Sequence, residues 1–568
     1  MIRCVAAGIA GVVLCAALNS VTFAQTTLGK GNNAAPPATP SSRPPTRADI
    51  LRGEYGRYRA NNDLRYYDLD VRIDPAKKLI SGKNSIRFRM LEDDTRIQID
   101  LYANLTIEKI LMNTTPLQFV RELNAVFVDF PETLRAGRDY TIDVHYSGTP
   151  AETGRFGGFT FGKDPTGKPW ITTACEGQGA SIWWPNKDQW HDEPDGMELS
   201  VEIPSDLVDV SNGRFMGKKD LGDGYTRWDW RIHYPINSYN VSVNIGNYEH
   251  FSDTIPGAGP PGSSEPLTLD FYALPGNMDK ARAQFAQAKP MIEAYRKVFG
   301  EYPFALDGYK LIEVPYSGME HQSAVTYGNR FANGYLERDW TGVGVSLRFD
   351  FIIIHESAHE WFGNAVSAAD VSDMWIQEGW TTYLEGVYVE QLFGYDDAVK
   401  YVNGYKSKVG NKEPIITQRG IHRSPSQDQY FKGALFLHTL RSLVGDDARW
   451  WKLVRDVYQE FKYKNIMTEE LVAYINKQVG KDLTPIFDQY LRRADLPTLE
   501  LVFNDAEKTV AYRWTASERG FAMPIKVGAR NDWQLITPTT DWQLMPNSLG
   551  KEAFEVATDL YYVNVVKQ

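Results

Sequence analysis

The stretch FDFIIIHESAHEWFGN, residues 349–364, decides how this chain is built around its chemistry. Its first residues are apolar enough for a buried helix, and they lead directly into His355-Glu356-Ser357-Ala358-His359. On a helix, positions four apart lie on one face, one turn apart, so the imidazoles of His355 and His359 point the same way. This H-E-x-x-H spacing is typical of a site in which two histidines bind zinc and the intervening Glu356 is the general base.

A third ligand is available downstream. Glu378 lies in WIQEGW, residues 375–380, with eighteen residues between it and His359, and a second helix there would bring its carboxylate to the metal. Two His and one Glu leave a fourth position open for water, which is typical of a hydrolytic zinc site and not of a structural one. The sequence therefore predicts one Zn2+ per chain, held by His355, His359 and Glu378. The alternative is that both histidines simply pack in a core helix.

Composition limits the class of protein. The chain has 568 residues, 43% of them hydrophobic, which is enough material for about three or four domains. Its formal net charge is −11 and it has no basic block, which argues against nucleic acid as a partner and against a polybasic contact with a membrane. Composition carries no signal for an oligomeric state.

The N-terminus resembles a secretory leader. Arg3 is followed by a short apolar run over residues 5–18, and Ala24 offers a small residue for cleavage. The run is too short for an ordinary membrane span, so we expect no transmembrane segment in the mature chain and a periplasmic or secreted location. Leu14 before Cys15 is the wrong context for lipidation, which argues against a lipoprotein anchor.

Changes in composition and periodicity predict the domain organisation. Residues 1–24 are the signal peptide, 25–48 a Pro-rich disordered tether, 49–255 an N-terminal β-domain, 256–496 a mostly helical catalytic domain and 497–568 a small C-terminal β-domain. Once the leader is removed, Cys175 is the remaining cysteine, and we assign it no chemistry.

Two periodicities predict the elements. Alternating residues predict strands at 67–73, 86–90 (after a turn at Ser81-Gly82), 141–146, 199–203, 499–503 and 510–514. The helical period predicts helices at 278–299, 347–366, 381–393, 430–443, 448–461 and 468–479.

Several separated segments carry a resemblance to a known family. Residues 355–364 are similar to its zinc helix, and residues 375–385 to the segment around its third ligand, with Gln377 where the family has Asn. Tyr430-Phe431-Lys432-Gly433 is similar to the Y-x-K-G segment that carries its catalytic tyrosine. Together these segments resemble the aminopeptidase N-type zinc metallopeptidases, the gluzincin aminopeptidases related to leukotriene-hydrolysing enzymes.

The resemblance also implies substrate-binding residues. The segment SGMEH, residues 317–321, corresponds to the family's Gly-x-Met-Glu-Asn, with Ser317 and His321 departing from it. It implies that Glu320 binds the substrate's α-amine and that Gly318 and Met319 belong to the substrate-binding edge. TACEGQG, residues 173–179, is similar to a family segment that supplies a second amine-binding acid, which implies Glu176, with Gln178 as the neighbouring alternative.

The resemblance implies a multidomain α+β fold, with a saddle-like N-terminal β-domain, a thermolysin-like catalytic domain and a small C-terminal β-sandwich. It implies peptides with a free N-terminus as substrates and Tyr430 as a donor to the developing oxyanion. Asp373 or Glu385 is a candidate for orienting a ligand histidine, while the alternative that we favour for each is a surface or structural acid. Four tryptophans either line a specificity pocket or, as we favour, pack in the core: Trp170, Trp183, Trp184 and Trp190.

Three functions remain in view. The favoured one is a zinc aminopeptidase that hydrolyses the N-terminal peptide bond with an activated water. A thermolysin-like zinc endopeptidase has the same metal ligands, and Met319-Glu320 argues against it. A catalytically inactive zinc-binding interaction protein is the third, and the presence of Glu356 and Tyr430 argues against that.

Overall fold

The computed structural model describes residues 44–153, 157–530 and 532–568. The expected leader and residues 25–43 of the expected tether lie outside the described residues. Arg47–Gly53 forms helix α1, whose N-terminus is capped by the Thr46 side chain, and a second short helix, α2, spans Arg57–Ala60. The last residues of the expected tether are thus helical.

Alternating apolar residues build the N-terminal β region, as the sequence predicts. In β1, Asn62–Asp74, the side chains of Leu69, Val71 and Ile73 are fully buried. The turn to β2, Leu79–Met90, lies at residues 75–78, and the expected turn at Ser81-Gly82 is wrong, because both residues pair with β1. Gly82 allows β1 and β2 to approach each other closely, since a Cβ at this position would lie 2.3 Å from the Asp70 carbonyl oxygen.

Three sheets form the described part of this region. The largest has eight strands in the order β13-β14-β11-β1-β2-β8-β4-β5, and smaller sheets have the orders β3-β7-β6 and β12-β15-β10-β9. The remaining strands are β3 Asp94–Asp100, β4 Leu105–Met112, β5 Thr115–Pro116, β6 Gln118–Glu122, β7 Ala125–Leu134, β8 Asp139–Gly148, β9 Gly158–Lys163, β10 Pro169–Ala174, β11 Met197–Pro204, β12 Val208–Ser211, β13 Arg214–Asp220, β14 Tyr225–Ile232 and β15 Val243–Gly246.

A five-stranded sheet begins the central region, in the order β16-β17-β18-β20-β19. Its strands are β16 Glu249–Ile255, β17 Leu267–Ala273, β18 Tyr309–Glu313, β19 Gly318–Met319 and β20 Val325–Tyr327. Strand β16 pairs with β17 across the Pro- and Gly-rich loop, so this sheet begins before residue 256. Strand β19, which carries Gly318 and Met319, is at the sheet edge.

Helices dominate the rest of the central region. They are α3 Met278–Phe285, α4 Ala288–Phe299, α5 Phe351–Ala358, α6 Trp375–Phe393, α7 Tyr395–Gly404, α8 Asp428–Val444, α9 Asp447–Phe461, α10 Thr468–Val479 and α11 Thr484–Leu491. Two short strands, β21 Val366–Ala368 and β22 Lys464–Ile466, pair in parallel. Helix α5 is shorter than expected from 347–366. The Asp350 carboxylate caps its N-terminus by accepting from two backbone N–H groups, and the helix ends at Ala358 with His359 as its C-cap residue.

Strands return at the C-terminus, and the predicted order of β-rich, mostly helical and β-rich regions is confirmed. Two sheets have the orders β27-β24-β23-β29 and β26-β25-β28. Their strands are β23 Thr498–Asn504, β24 Thr509–Thr515, β25 Ile525–Ala529, β26 Asp532–Ile536, β27 Gln543–Pro546, β28 Glu555–Val556 and β29 Asn564–Lys567. Within residues 44–153, 157–530 and 532–568, none of the helices combines the length and apolar character needed to cross a bilayer.

Candidate metal centre and active site

Helices α5 and α6 bring the three predicted metal ligands together. Glu378 Oε2 lies 3.5 Å from His355 Nε2 and 3.3 Å from His359 Nε2. The three side chains are almost completely buried, and their ligand atoms lie within 4.8 Å of one another. The spacing on the sequence therefore corresponds to one converging donor set.

The outer ring nitrogens explain why the Nε2 atoms are free to bind a metal. His355 Nδ1 is 2.6 Å from Glu385 Oε1, and His359 Nδ1 is 3.0 Å from the Phe362 carbonyl oxygen. Protons on Nδ1 leave the Nε2 lone pairs directed inward. Within the described part of the chain, His355 Nε2 and Glu378 Oε2 have no hydrogen-bond partner. Two imidazoles, one carboxylate and their orphaned atoms fit a zinc ion.

Glu356 lies beside the ligands and is held in none of the described hydrogen bonds. Its side chain is fully buried, and both carboxylate oxygens lack a partner among the described residues. Gly318 on β19 allows the sheet edge to approach it, since a Cβ at Gly318 would lie 3.1 Å from Glu356 Cγ. A buried carboxylate without partners is available for a proton.

Helix α8 brings Tyr430 to the same place. Its hydroxyl donates to Glu378 Oε1 at 2.9 Å. Burial, followed by the charge of Glu378, raises the pKa of Tyr430 well above its ordinary value, so the hydroxyl remains a donor. The contact depends on a close crossing of α6 and α8, where a Cβ on Gly379 would lie 2.9 Å from the Gln429 carbonyl oxygen.

Glu320 and Glu176 reach the site from two different sheets. Glu320 follows β19, Glu176 follows β10, and one carboxylate oxygen of each lies within 4.8 Å of the other and of Glu378. The Tyr239 hydroxyl donates to Glu320 Oε1 at 2.9 Å. Glu320 Oε2 and Glu176 Oε2 are buried and have no partner in the residues that the structure describes.

The carboxylates make the site attractive to cations. Burial, followed by the charges of Glu320 and Glu378, raises the pKa of Glu176 well above its ordinary value. Burial is also the main cause that raises the pKa values of Glu320 and Glu356. Four carboxylates in one desolvated site are stable together only when protons or cations compensate their charge.

The side chains of the two departures in the SGMEH segment make none of the described hydrogen bonds to the metal ligands. Ser317 Oγ is 3.1 Å from the Tyr335 hydroxyl. Burial lowers the pKa of His321 to about 3, and neither ring nitrogen has a hydrogen-bond partner among the described residues. His321 therefore makes no hydrogen bond to Glu320, while Met319 pairs with Thr326 of β20.

The sequence alone did not identify several residues that support the site. Of the two candidate orienting acids, Glu385 contacts His355, whereas Asp373 binds Arg419 through both carboxylate oxygens. Tyr239 carried no sequence signal, because its contact with Glu320 spans 81 positions. The buried tryptophans pack in the core, as favoured, although Trp190 also packs against Tyr239 with ring centroids 5.2 Å apart.

Comparison with protein families matches two models to this chain. Residues 64–240 match the peptidase M1 N-terminal domain, and residues 283–490 match the peptidase family M1 domain. The second range contains the metal ligands, Glu356, Glu320 and Tyr430, and the first contains Glu176 and Tyr239.

Comparison with individual proteins shows similarity to aminopeptidases. A leucyl aminopeptidase of Saccharolobus solfataricus is 26% identical over 318 residues, which is 54% of this chain and 39% of that protein. Human endoplasmic reticulum aminopeptidase 1 is 26% identical over 362 residues, or 60% of this chain and 36% of that protein. The matched part is thus well under half the length of these relatives.

Solved structures share the fold. An M1 zinc metallopeptidase of Deinococcus radiodurans superposes with a TM-score of 0.64 and 20% identity, covering 77% of this chain and 94% of that one. A mutant of the same metallopeptidase bound to a Tyr-ser-ala substrate gives a TM-score of 0.65 at 20% identity, covering 77% and 96%.

Proposed function

Because the chain belongs to peptidase family M1, we propose that it is a zinc-dependent aminopeptidase that hydrolyses the N-terminal bond of peptides. The observation that carries this proposal is the pair Glu176 and Glu320 beside the metal ligands. Each offers a buried carboxylate oxygen without a partner in the described chain. An α-ammonium between them would make charge-assisted hydrogen bonds to both.

The pair favours an aminopeptidase over an endopeptidase. The segment of an endopeptidase substrate that precedes the scissile bond is uncharged peptide, which would leave two buried carboxylates uncompensated at a cost of several kcal/mol. A free N-terminus supplies the missing positive charge and fixes its distance from the metal ligands. The site therefore selects the first peptide bond of a chain.

The residues divide the chemistry among them. His355, His359 and Glu378 would hold zinc, which supplies a Lewis acid that polarises the peptide carbonyl and acidifies water. Glu356 takes the proton of the attacking water and delivers it to the leaving amine. The Tyr430 hydroxyl donates to the carbonyl oxygen as negative charge develops there, and one such donor contributes about 2.7–4 kcal/mol.

A comparison of free and blocked substrates tests the proposal. The purified protein should hydrolyse aminoacyl anilides with a free α-amine and should leave their N-acetylated forms intact. Glu320→Ala should lower kcat/KM on the free substrates by about tenfold to a hundredfold, the contribution of a hydrogen bond to a charged group. Equal rates on free and acetylated substrates would support an endopeptidase, and zinc content without any turnover would support a binding protein.

We also propose that the enzyme acts in the periplasm or outside the cell. The support is the leader-like sequence over residues 1–24, with its basic start and short apolar run. N-terminal sequencing of protein from the native host should find Gln25 as the first residue. A mature protein that still begins at Met1 and remains with the cytoplasm would contradict this location.

A further inference from the structure

The loop that carries Glu176 is held from outside by residues distant in sequence. The Gly177 carbonyl oxygen lies 3.1 Å from His422 Nε2, and the Gln178 carbonyl oxygen accepts from the Tyr102 hydroxyl at 3.0 Å. Burial, followed by the nearby charge of an arginine, lowers the pKa of His422 to about 3. The imidazole is therefore neutral, and with its proton on Nε2 it donates to the loop.

The next part of the loop packs against helix α1. Gly179 has φ +83°, and a Cβ there would lie 2.3 Å from Arg52 Nη2, so the guanidinium lies directly over this residue. Arg52 Nε is 3.9 Å from Asp188 Oδ2. Asp188 in turn accepts from the backbone N–H groups of Ala180 and Ser181, each at 3.2 Å. Arg52 and Asp188 thus hold the loop where it turns into the following segment.

Helix α1 also positions His422. The backbone N–H of His422 donates to the Asp49 carbonyl oxygen at 2.9 Å. The contact is close, because a Cβ on Gly53 would lie 2.2 Å from the backbone carbon of Ile421. The helix therefore reaches the Glu176 loop twice, directly through Arg52 and indirectly through His422.

A buried ion pair fixes the helix to the β region. The Arg59 guanidinium binds both oxygens of Asp100 at 2.7 Å, with both side chains almost fully buried. Arg59 Nη1 also donates to the carbonyl oxygens of Arg52 and Glu54, at 3.2 and 2.8 Å. Asp100 accepts from the Asp188 N–H at 3.0 Å. Asp100 therefore connects the ion pair that fixes α1 with Asp188, which binds the Glu176 loop, in one hydrogen-bond network.

We propose that α1 and His422 form a brace that positions Glu176, and that Arg52 and His422 are positioning residues for binding of the substrate's α-ammonium. The inference rests on the proposed aminopeptidase function, which gives Glu176 its ligand. Helix α1 lies before residue 64, where the match to the M1 N-terminal domain begins, so this part of the brace lies outside the regions matched to the family, whereas His422 lies within the peptidase family M1 match.

The brace affects binding more than the chemical step. Glu176 contacts the amine of the substrate and not the scissile bond, so a loosened loop weakens the grip on the ammonium while Glu356 and Tyr430 stay in place. We expect Arg52→Ala and His422→Ala each to raise KM for a free-amine substrate by about tenfold, the lower end of the contribution of a charge-assisted hydrogen bond. The kcat values should change less than threefold.

The test combines kinetics with hydrogen exchange of the full-length, zinc-loaded protein. Kinetics use leucyl anilide, and mass spectrometry follows amide exchange in the peptide spanning residues 175–181. His422→Gln keeps a side-chain N–H that can reach the loop, so it should restore most of the KM. The matched control is Arg47→Ala, since Arg47 is also in α1 but pairs with Glu122 on the exposed surface. It should leave both readouts unchanged.

The outcomes separate the brace from the proposed function. Faster exchange at residues 175–181 with raised KM supports the brace. Faster exchange in a protein whose wild type hydrolyses no aminoacyl substrate supports the brace as a structural element and overturns the function assigned to it. Unchanged exchange and unchanged KM in both alanine variants overturn the brace and leave the aminopeptidase intact. If Arg52→Ala fails to fold, His422→Ala and His422→Gln decide the question.

Discussion

At the scale of single residues, Glu356 differs from the carboxylates of Glu320 and Glu378 because neither of its oxygens has a described partner. The ligands converge on one another, Tyr430 donates to Glu378, and Glu320 is held by Tyr239, whereas both Glu356 oxygens remain unsatisfied in the described chain. A buried carboxylate without partners lowers the stability of the fold, so its presence calls for a functional explanation. Its cost to the fold is the physical argument for its role as proton acceptor and donor.

Glu356→Gln tests that role. The amide keeps the size of the side chain but cannot accept and return a proton, so kcat should fall by about 10²–10⁴-fold. Zinc content, measured by atomic absorption, should stay at the wild-type value, because His355, His359 and Glu378 form a complete donor set without Glu356. A variant with near wild-type turnover would exclude Glu356 as the base.

Glu385 has a separate role as the partner of His355. Removing the carboxylate in Glu385→Ala frees the imidazole to rotate, and we expect zinc affinity to fall by about 10–100-fold, measured by competition with a chelator. Asp373→Asn is the matched control, since Asp373 is equally buried but binds Arg419 and Thr468. Equal loss of zinc in both variants would contradict a specific role for Glu385.

At the scale of elements, the crossing of α6 and α8 sets the geometry of the site. Gly379 and Gly433 face each other there, and a Cβ on Gly433 would lie 3.0 Å from the Gly379 Cα. The residue before Gly379 is the ligand Glu378, and Tyr430 lies one turn before Gly433. The absence of two side chains therefore allows the hydroxyl of one helix to reach the carboxylate of the other.

Gly379→Ala should separate these helices. The new methyl group meets a backbone carbonyl that has little room to move, so we expect a loss of about 1–3 kcal/mol in the free energy of unfolding. A lower melting temperature by calorimetry and a reduced kcat should appear together. Gly276→Ala is the control, because a Cβ there meets nothing within 4 Å. Unchanged stability and kcat in Gly379→Ala would show that the crossing tolerates a methyl group.

The sequence predicted both ends of helix α10 correctly but missed the start of helix α6. Helix α10 agrees with its prediction at both ends, because its apolar residues recur at the helical period. Helix α6 begins six residues before its expected start, since Trp375–Val389 is buried on every side and shows no periodicity. The metal ligands follow from spacing along the chain, but Tyr239 and the contacts of α1 depend on folding and left no local signal.

At the scale of the whole molecule, the candidate site is complete only when the β-rich and helical regions pack together. The N-terminal region supplies Glu176 and Tyr239, and the central region supplies the metal ligands, Glu320 and Tyr430. Buried polar networks of this kind specify one arrangement of the two regions. The same packing leaves several carboxyl groups deep in the protein, some of them far from the metal ligands in sequence.

Asp209 on β12 is such a group, and it predicts how stability changes with pH. Its side chain is fully buried and accepts from Trp230 Nε1 at 2.8 Å, and burial raises its pKa to about 7. Between its ordinary pKa of 3.8 and about 7, the folded state holds a proton that the unfolded state has lost. The contribution of Asp209 to stability is therefore fully present below pH 3.8 and disappears as the pH rises through 7.

Asp209→Asn is neutral throughout, so it tests this prediction. Urea unfolding should show that the free energy of unfolding of the variant rises relative to that of the wild type between pH 5 and pH 8. A difference between the two proteins that is the same at both pH values would mean that Asp209 is ionised in the folded state throughout this range.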